Sequence, residues 1–366
     1  MKLFLFLGDL ASNGGIERVT ISLANALSHH YDVTIVSLYN SGKNQAFDIN
    51  GNVNVIYIND SNEISMYNRK LGLINGVLFD LYYLCKKKRQ ITKKLRDHIH
   101  HNDIIISCDV KMTCLLYGFS KEKQTKLVAI EHFEHDIGNP LLIKLKKVLY
   151  RKISAVVSLT PEDNDKYCWM DLQKHWVIPN IVLPPSDTDI TNKKKNVALA
   201  IGRLTHQKGF DLLLHAWSGA NTNGWELRII GDGEDKEFLT KLAEKLEISN
   251  VTFVPFQKKI SQQFSESRVF ILSSRYEGLG MVLLEALSYG LACISFACPA
   301  GPATILSKNN GILVPADDVQ QMSRELTSLL QNEDTLTKFE KDASNSITDY
   351  LEAGVVKKWE ELLSVI

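Results

Sequence analysis

The sequence predicts an α/β protein made of two doubly wound, Rossmann-like domains in tandem, each a parallel sheet with helices on both faces. Three observations carry this. A chain of 366 residues is long enough for two domains with full cores. Along both halves, apolar runs of strand length alternate with amphipathic segments, the pattern of parallel βαβ units. The alternation breaks once, at 177–185, where Pro179, Pro184 and Pro185 precede a polar stretch over 187–195 that reads as a linker. The domains are accordingly expected at 1–180 and 181–352, with an amphipathic helix over 353–366 closing the chain.

In the first half, strands are expected at 2–7, 33–38, 53–58, 104–107, 127–130 and 155–159. The opening MKLFLFLGDL has one lysine and a short apolar run stopped by Gly8 and Asp9, so it reads as a first strand and not as a secretion signal. In the second half, strands are expected at 197–201, 227–230, 251–254, 269–272, 292–296 and 312–314. Helices follow at about 209–220, 235–246, 281–289 and 318–330. No apolar run approaches the roughly 20 residues of a membrane span. The six cysteines form no C-x-x-C pair and fall mostly in apolar runs, which suggests reduced core thiols in a cytosolic protein. In such sheets ligands bind beyond the carboxyl ends of the strands, so a central cleft between the two domains is the expected site.

The formal net charge is zero, but it is unevenly spread. Residues 1–180 hold 23 Lys and Arg against 18 Asp and Glu, and the remainder holds 19 against 24. The excess is concentrated at 61–126 and 139–155, where basic and apolar residues interleave at helical spacing. Lys86, Lys87, Lys88 and Arg89 follow one apolar stretch, and Lys144, Lys146, Lys147, Arg151 and Lys152 punctuate another. No recognition motif accompanies them, which argues against nucleic acid. A solvated helix face and an interfacial helix on an anionic membrane both fit.

The chain is organised around 273–290, SSRYEGLGMVLLEALSYG. A buried-strand pattern precedes it, Gly278 and Gly280 form a turn, and an apolar helix runs on to Gly290. Such a unit points backbone N–H groups and a positive helix end at an anion. Glu277 lies in the turn and Glu285 eight residues later within an apolar helix, where a carboxylate is costly unless it accepts hydrogen bonds. Either acid alone reads as a cap or a surface charge. Together they resemble the E-x7-E signature of retaining glycosyltransferase family 4, whose fold is GT-B.

Other segments carry the same resemblance. Gly14-Gly15-Ile16-Glu17 after the first strand is similar to the family's GG-x-E loop, which implies that the Gly15 backbone faces a donor diphosphate. Gly202-Arg203-Leu204 with Lys208-Gly209 resembles its G-R-L…K-G, which implies that Arg203 and Lys208 meet that diphosphate. Gly231-Asp232-Gly233 resembles its G-x-G turn, although a plain βα turn fits as well. Phe256 stands where the family holds the nucleobase, with core packing the equal alternative. His132, directly after a strand, matches the histidine beside the reacting sugar; His135 and Glu131 are close rivals. The C-P-x-G-P run at 298–302 is similar to bacterial surface-polysaccharide members, but Ala303-Thr304 departs from their pattern.

What the resemblance implies is a metal-independent hexosyltransferase without a cofactor, using a UDP-sugar as donor. Its acceptor would be a sugar hydroxyl on a lipid-linked or lipopolysaccharide-type glycan, and the enzyme would sit on the inner face of the cytoplasmic membrane. Arg203, Lys208, Gly15 and the Gly280–Met281 amides would stabilise the departing diphosphate. Glu277 would hold sugar hydroxyls, Glu285 the ribose, and His132 would border the reacting centre. Asp187-Thr188-Asp189 mimics a metal-binding D-x-D, but its place in the linker makes it a chance match, and the His132/His135 spacing alone is a weak zinc signal. A sugar-nucleotide epimerase of the same fold and a non-catalytic membrane adaptor are the alternatives.

Overall fold

The computed structural model describes residues 1–12, 14–42, 47–61, 73–132, 140–186 and 194–366. They form two compact units, Met1–Ile181 with Val356–Ile366, and Val182–Val355.

The first unit is built on seven parallel strands: β1 (Lys2–Asp9), β2 (Asp32–Tyr39), β3 (Val53–Tyr57), β4 (Ile104–Ser107), β5 (Lys126–Glu131), β6 (Ala155–Ser158) and β7 (His175–Val177). Their order is β3-β2-β1-β4-β5-β6-β7. Leu3 to Leu7 are all essentially buried, as a central parallel strand covered on both faces requires. Leu3 sits opposite Val33 on one side and Ile104 on the other. The helices are α1 (Gly15–Leu27), α2 (Leu73–Leu95), α3 (Val110–Lys123), α4 (Pro140–Tyr150) and α5 (Pro161–Asp165). Local chemistry sets their ends. Asp109 caps α3 by accepting from the Met112 N–H at 2.6 Å, and Thr160 caps α5 ahead of Pro161. Strand β7 has no counterpart in the sequence pattern, because three half-buried residues at a sheet edge are too short to show a period.

Two members of the basic stretches lie inside the protein and not on its surface. Lys146 of α4 pairs with Glu131, which also accepts from the Tyr150 hydroxyl, and all three side chains are buried. Lys87 of α2 is buried with its Nζ 4.2 Å from the centre of the Tyr39 ring, and burial lowers its pKa. At helical spacing one lysine in three or four must face inward, and a partner there makes burial tolerable. Lys144, Leu145, Lys147, Val148, Arg151 and Lys152 stay exposed. The cysteines divide similarly. Cys108, Cys293 and Cys298 are buried, but Cys85 and Cys168 are exposed, so the expectation of core thiols fails for those two.

The second unit has six parallel strands: β8 (Val197–Ile201), β9 (Glu226–Ile230), β10 (Val251–Val254), β11 (Val269–Leu272), β12 (Ala292–Phe296) and β13 (Gly311–Val314). Their order is β10-β9-β8-β11-β12-β13. The order reverses between β8 and β11, which pair through Val269–Ala198 and Phe270–Leu199. Helices α6 (Phe210–Ser218), α7 (Lys236–Lys245), α8 (Ser261–Glu266), α9 (Met281–Ser288), α10 (Pro302–Ile305), α11 (Val319–Gln331) and α12 (Glu333–Ser346) complete the unit. The helix expected from 209 starts later, because His206–Lys208 form a 3-10 turn that ends at Gly209 with φ +62°. Helix α12 escapes the pattern because it buries little beyond Leu336 and Ala343; it is held by Arg268, which pairs with Glu333 and Glu340. The last helix, α13 (Glu352–Val365), buries Val355, Val356, Trp359, Leu362 and Leu363.

Candidate active site

The strand order of the second unit places its ligand-binding end at the β8/β11 switch, where two loops leave neighbouring carboxyl ends. The β8 loop runs over 202–209 and the β11 loop over 273–280. They are stitched together along their length. Ser273 Oγ donates to the Lys208 carbonyl at 2.9 Å, the Arg275 N–H donates to the Gln207 carbonyl at 2.8 Å, and Gln207 Nε2 donates to the Tyr276 carbonyl at 3.1 Å. Arg275 adds a bond from Nη1 to the His206 carbonyl at 2.8 Å and a two-pronged pair with Asp211 at 2.9 and 2.7 Å. Burial alone would raise the Asp211 pKa, but the Arg275 guanidinium holds it below the usual carboxylate range. Gly209 is required here, since a Cβ would lie 2.1 Å from the Ser273 carbonyl oxygen and its φ is left-handed.

This stitching brings together two residues that the sequence placed in separate motifs. Lys208 Nζ lies 2.6 Å from Glu277 Oε1, with the two side chains only 19% and 9% exposed. Ser274 Oγ donates to the same oxygen at 2.5 Å. The Lys208 stem crosses Gly202, where a Cβ would stand 3.2–3.3 Å from its Cγ, Cδ and Cε. Arg203, one residue beyond Gly202, is exposed and forms no ion pair among the described residues. Glu285 is buried at 6% exposure on α9. Gly280 begins that helix at φ +81° and supplies no side-chain cap. Its carbonyl accepts from the Leu283 and Leu284 N–H groups at 2.9 and 3.4 Å, so the Met281 and Val282 amides are the ones left to face a ligand. Gly301, in the run after β12, donates its N–H to the Gly278 carbonyl at 3.1 Å and braces the turn.

The β9 turn is also fixed by close approach. A Cβ on Gly231 would fall 1.9 Å from the Gly202 carbonyl oxygen, and its φ of +151° is one that side chains rarely adopt. Asp232, in the same turn, accepts from the Phe256 N–H at 2.9 Å, and that bond holds its carboxyl below the usual range. Phe256 is 58% exposed, which removes the core-packing alternative for its ring.

In the first unit, Gly15 opens α1 with nothing within 4 Å of where its Cβ would be. The crowded position is Gly14, over which the Glu17 carboxylate folds back. His132 follows β5 directly. Its Nε2 is out of solvent and lacks a hydrogen-bond partner among the described residues, and burial pushes its pKa down to about 4. The imidazole is therefore neutral at pH 7. Its rival Glu131 is committed to Lys146 and Tyr150; burial raises its pKa while Lys146 and Tyr150 oppose the rise. His135, Asp187 and Asp189 lie outside the described residues.

Sequence reasoning missed Ser274, Arg275 and Asp211. Arg275 lies two residues before Glu277, and Asp211 two after Gly209, but no periodicity connects positions so far apart. Chemically, the second unit offers a cation–carboxylate pair, an exposed arginine and an open helix N-terminus at one strand end. That set suits a phosphate-bearing ligand that also presents hydroxyls. No helix among the described residues is long and apolar enough to cross a membrane.

Two such parallel sheets are the architecture of GT-B glycosyltransferases, and the crystal structure of Anabaena HepE with UDP and glucose superposes on the whole chain with a TM-score of 0.76 at 16% identity, covering 100% of both chains. Residues 187–346 match the family model described as glycosyl transferases group 1. The amylovoran biosynthesis glycosyltransferase AmsD of Erwinia amylovora is 31% identical over 372 residues, covering 99% of each chain. The chain therefore belongs to the glycosyl transferases group 1 family and is a glycosyltransferase. A Campylobacter jejuni relative is 24% identical over 374 residues, covering 100% of this chain and 99% of its own. It is named as an alpha-1,4-N-acetyl-D-galactosaminyltransferase of a diNAcBac-PP-undecaprenol-linked glycan.

Proposed function

We propose that this enzyme transfers a hexose or N-acetylhexosamine from a UDP-sugar to a sugar hydroxyl of a lipid-linked or lipopolysaccharide-type glycan, with retention of anomeric configuration and without a metal. The observation that carries it is the adjacency of Lys208 to Glu277, which puts a cation for phosphate beside an acceptor for hydroxyls. Arg203, Lys208, the Gly280–Met281 turn and Gly15 are assigned to the diphosphate. Glu277 is assigned to the sugar, Glu285 to the ribose, and Gly231 and Phe256 to the nucleoside end. A neutral His132 borders the reacting centre, able to exchange a hydrogen bond without adding charge. Residues 181–352 take the donor and residues 1–180 the acceptor.

The choice of donor is supported by the UDP in the HepE structure, and the choice of acceptor by the polyprenol-linked glycan in the name of the Campylobacter relative. A seat on the inner face of the cytoplasmic membrane follows from the same acceptor. Exposed Leu145 and Val148, between Lys144, Lys147 and Arg151, are the residues for it. The test is to incubate the protein with each of several UDP-hexoses and a polyprenol-diphosphate oligosaccharide. Mass spectrometry should record the gain of one sugar residue with one of them, lost in Glu277→Ala. A UDP-sugar converted to its epimer with no acceptor present would overturn the assignment.

A further inference from the structure

The bond pattern around Glu277 carries more than a pair of binding residues. Both of its partners, Lys208 Nζ and Ser274 Oγ, bind one oxygen, Oε1, while Oε2 takes no partner among the described residues. Glu277 is 7% exposed and Ser274 is 1% exposed. A carboxylate so deeply placed is stable only while it is paired and hydrogen-bonded. Lys208 is thus engaged by the very acid assigned to the sugar. A diphosphate carries more charge than one carboxylate and competes for the same ammonium. If it draws Lys208 away, Glu277 keeps only the Ser274 bond and a set of open lone pairs. Neutral hydroxyl donors are what would satisfy those lone pairs without adding charge.

We propose that Lys208 and Glu277 form a closed pair in the free enzyme which the donor diphosphate opens, and that Ser274 is a positioning residue that holds Glu277 in place while its carboxylate passes from the lysine to the sugar hydroxyls. This rests on the donor assignment above and deepens it. Recognition of the sugar becomes conditional on the diphosphate. A bare nucleotide leaves a buried carboxylate without its cation, whereas the nucleotide sugar replaces that partner. Preference for the sugar-bearing donor over the nucleotide thus resides in Glu277, while Ser274 sets the orientation in which that carboxylate meets the sugar as it reacts. The surrounding stitches from Ser273, Arg275 and Gln207 keep the two loops in register while the pair exchanges.

The experiment is a cycle of UDP titrations on the full chain, by calorimetry and, for weak variants, by ligand-observed NMR. Glu277→Gln keeps the shape and the serine bond but removes the charge that holds Lys208, so it should bind UDP three- to tenfold more tightly than wild type. The same change in a Lys208→Met background should alter UDP affinity less than twofold. A gain that persists without Lys208 would mean simple repulsion between the acid and the diphosphate, and would overturn the exchange. Weaker UDP binding by Glu277→Gln would overturn it too. Ser274→Ala should leave UDP affinity and donor KM within twofold of wild type and lower kcat at least tenfold, with Ser274→Thr restoring most of it. If Ser274→Ala changes only the melting temperature, or if Ser274→Thr fails to rescue kcat, the positioning role is wrong. Wild type that binds UDP but shows no such cycle sinks this proposal alone; wild type that binds no UDP sinks the donor assignment and the proposal with it.

Discussion

Arg275 and Asp211, 64 positions apart in the chain, meet through two parallel N–H···O bonds of 2.9 and 2.7 Å, and this pair joins the loop carrying Glu277 to the first turn of α6, directly after the loop carrying Lys208. The fork geometry is what arginine supplies and lysine does not. Both side chains are partly exposed, at 20% and 26%, so the pair itself adds only about 1 kcal/mol of stability. Its larger effect is register. Asp211→Asn should cost about that much in unfolding free energy yet lower kcat/KM on the order of tenfold, and Arg275→Lys should act in the same direction despite keeping the charge. Equal activity for Arg275→Lys and wild type would show that the fork does not align the site.

The inward turn of Lys146 separates two kinds of basic residue on α4. Removing one partner of a buried pair leaves an uncompensated charge, at a cost of about 3–5 kcal/mol. Lys146→Met should therefore lower stability steeply by denaturant titration, whereas Lys144→Ala and Lys147→Ala should stay within about 0.5 kcal/mol. If anionic vesicles bind the protein, the exposed Lys144 and Lys147 should govern it. A stability for Lys146→Met equal to that of the surface variants would contradict the buried pair with Glu131.

His132 makes stability depend on acid. Its folded pKa of about 4 lies below the ordinary value of 6.5, so between the two the unfolded chain takes up a proton that the folded chain refuses. The favourable state is complete above about pH 6.5, and stability is lost as the pH falls toward 4. A tenfold difference in proton affinity is worth about 1.4 kcal/mol, so the loss reaches at most roughly 3.5 kcal/mol. Glu131 works the other way, since a raised carboxyl pKa favours the folded state as the pH falls. Comparing wild type with His132→Asn from pH 7.5 to 4.5 isolates the histidine. The variant should show the flatter profile, and parallel profiles would contradict a neutral imidazole with its Nε2 out of solvent.

Much of the architecture was legible in the sequence because parallel strands buried on both faces are continuous apolar runs. Residues 197–201, 269–272 and 292–296 coincide with β8, β11 and β12 for that reason. Elements with little apolar signature were not legible. Strand β7 is three half-buried residues, and α12 offers only a narrow apolar stripe of Leu336, Phe339 and Ala343 beside its ion pairs to Arg268. The candidate site divides in the same way. Glu277, Glu285, Arg203 and Lys208 stand at fixed offsets from glycines within single loops, so a motif exposes them. The Lys208–Glu277 contact joins two loops and the Arg275–Asp211 clasp joins the β11 loop to α6, and only the fold brings these together; the Ser274 brace lies within one loop, but no period marks it. The inward turn of Lys87 and Lys146 was hidden for a similar reason: a charge run shows how many cations a helix carries, not which one meets Tyr39 or Glu131.

Glycines with similar sequence contexts should respond differently. Ala at 231 places a methyl 1.9 Å from the Gly202 carbonyl oxygen, in a backbone conformation side chains avoid. Gly231→Ala should cost at least about 1–3 kcal/mol and disturb the β8 loop. Gly15→Ala meets open space and should fold as wild type does. Any loss of donor affinity in Gly15→Ala thus reports on the ligand alone, and unchanged affinity and kcat would remove Gly15 from the site.

The most direct measurement is a calorimetric titration of UDP-, GDP- and ADP-sugars into wild type and into Arg203→Ala, a surface change that should leave stability within about 0.5 kcal/mol. Wild type should bind a UDP-sugar more tightly than millimolar, and Arg203→Ala should weaken that binding and lower kcat on the order of 10²–10³, as loss of a donor to developing charge does. Binding no better than millimolar for every nucleotide sugar, or an Arg203→Ala enzyme as active as wild type, would contradict a diphosphate held at the β8/β11 switch.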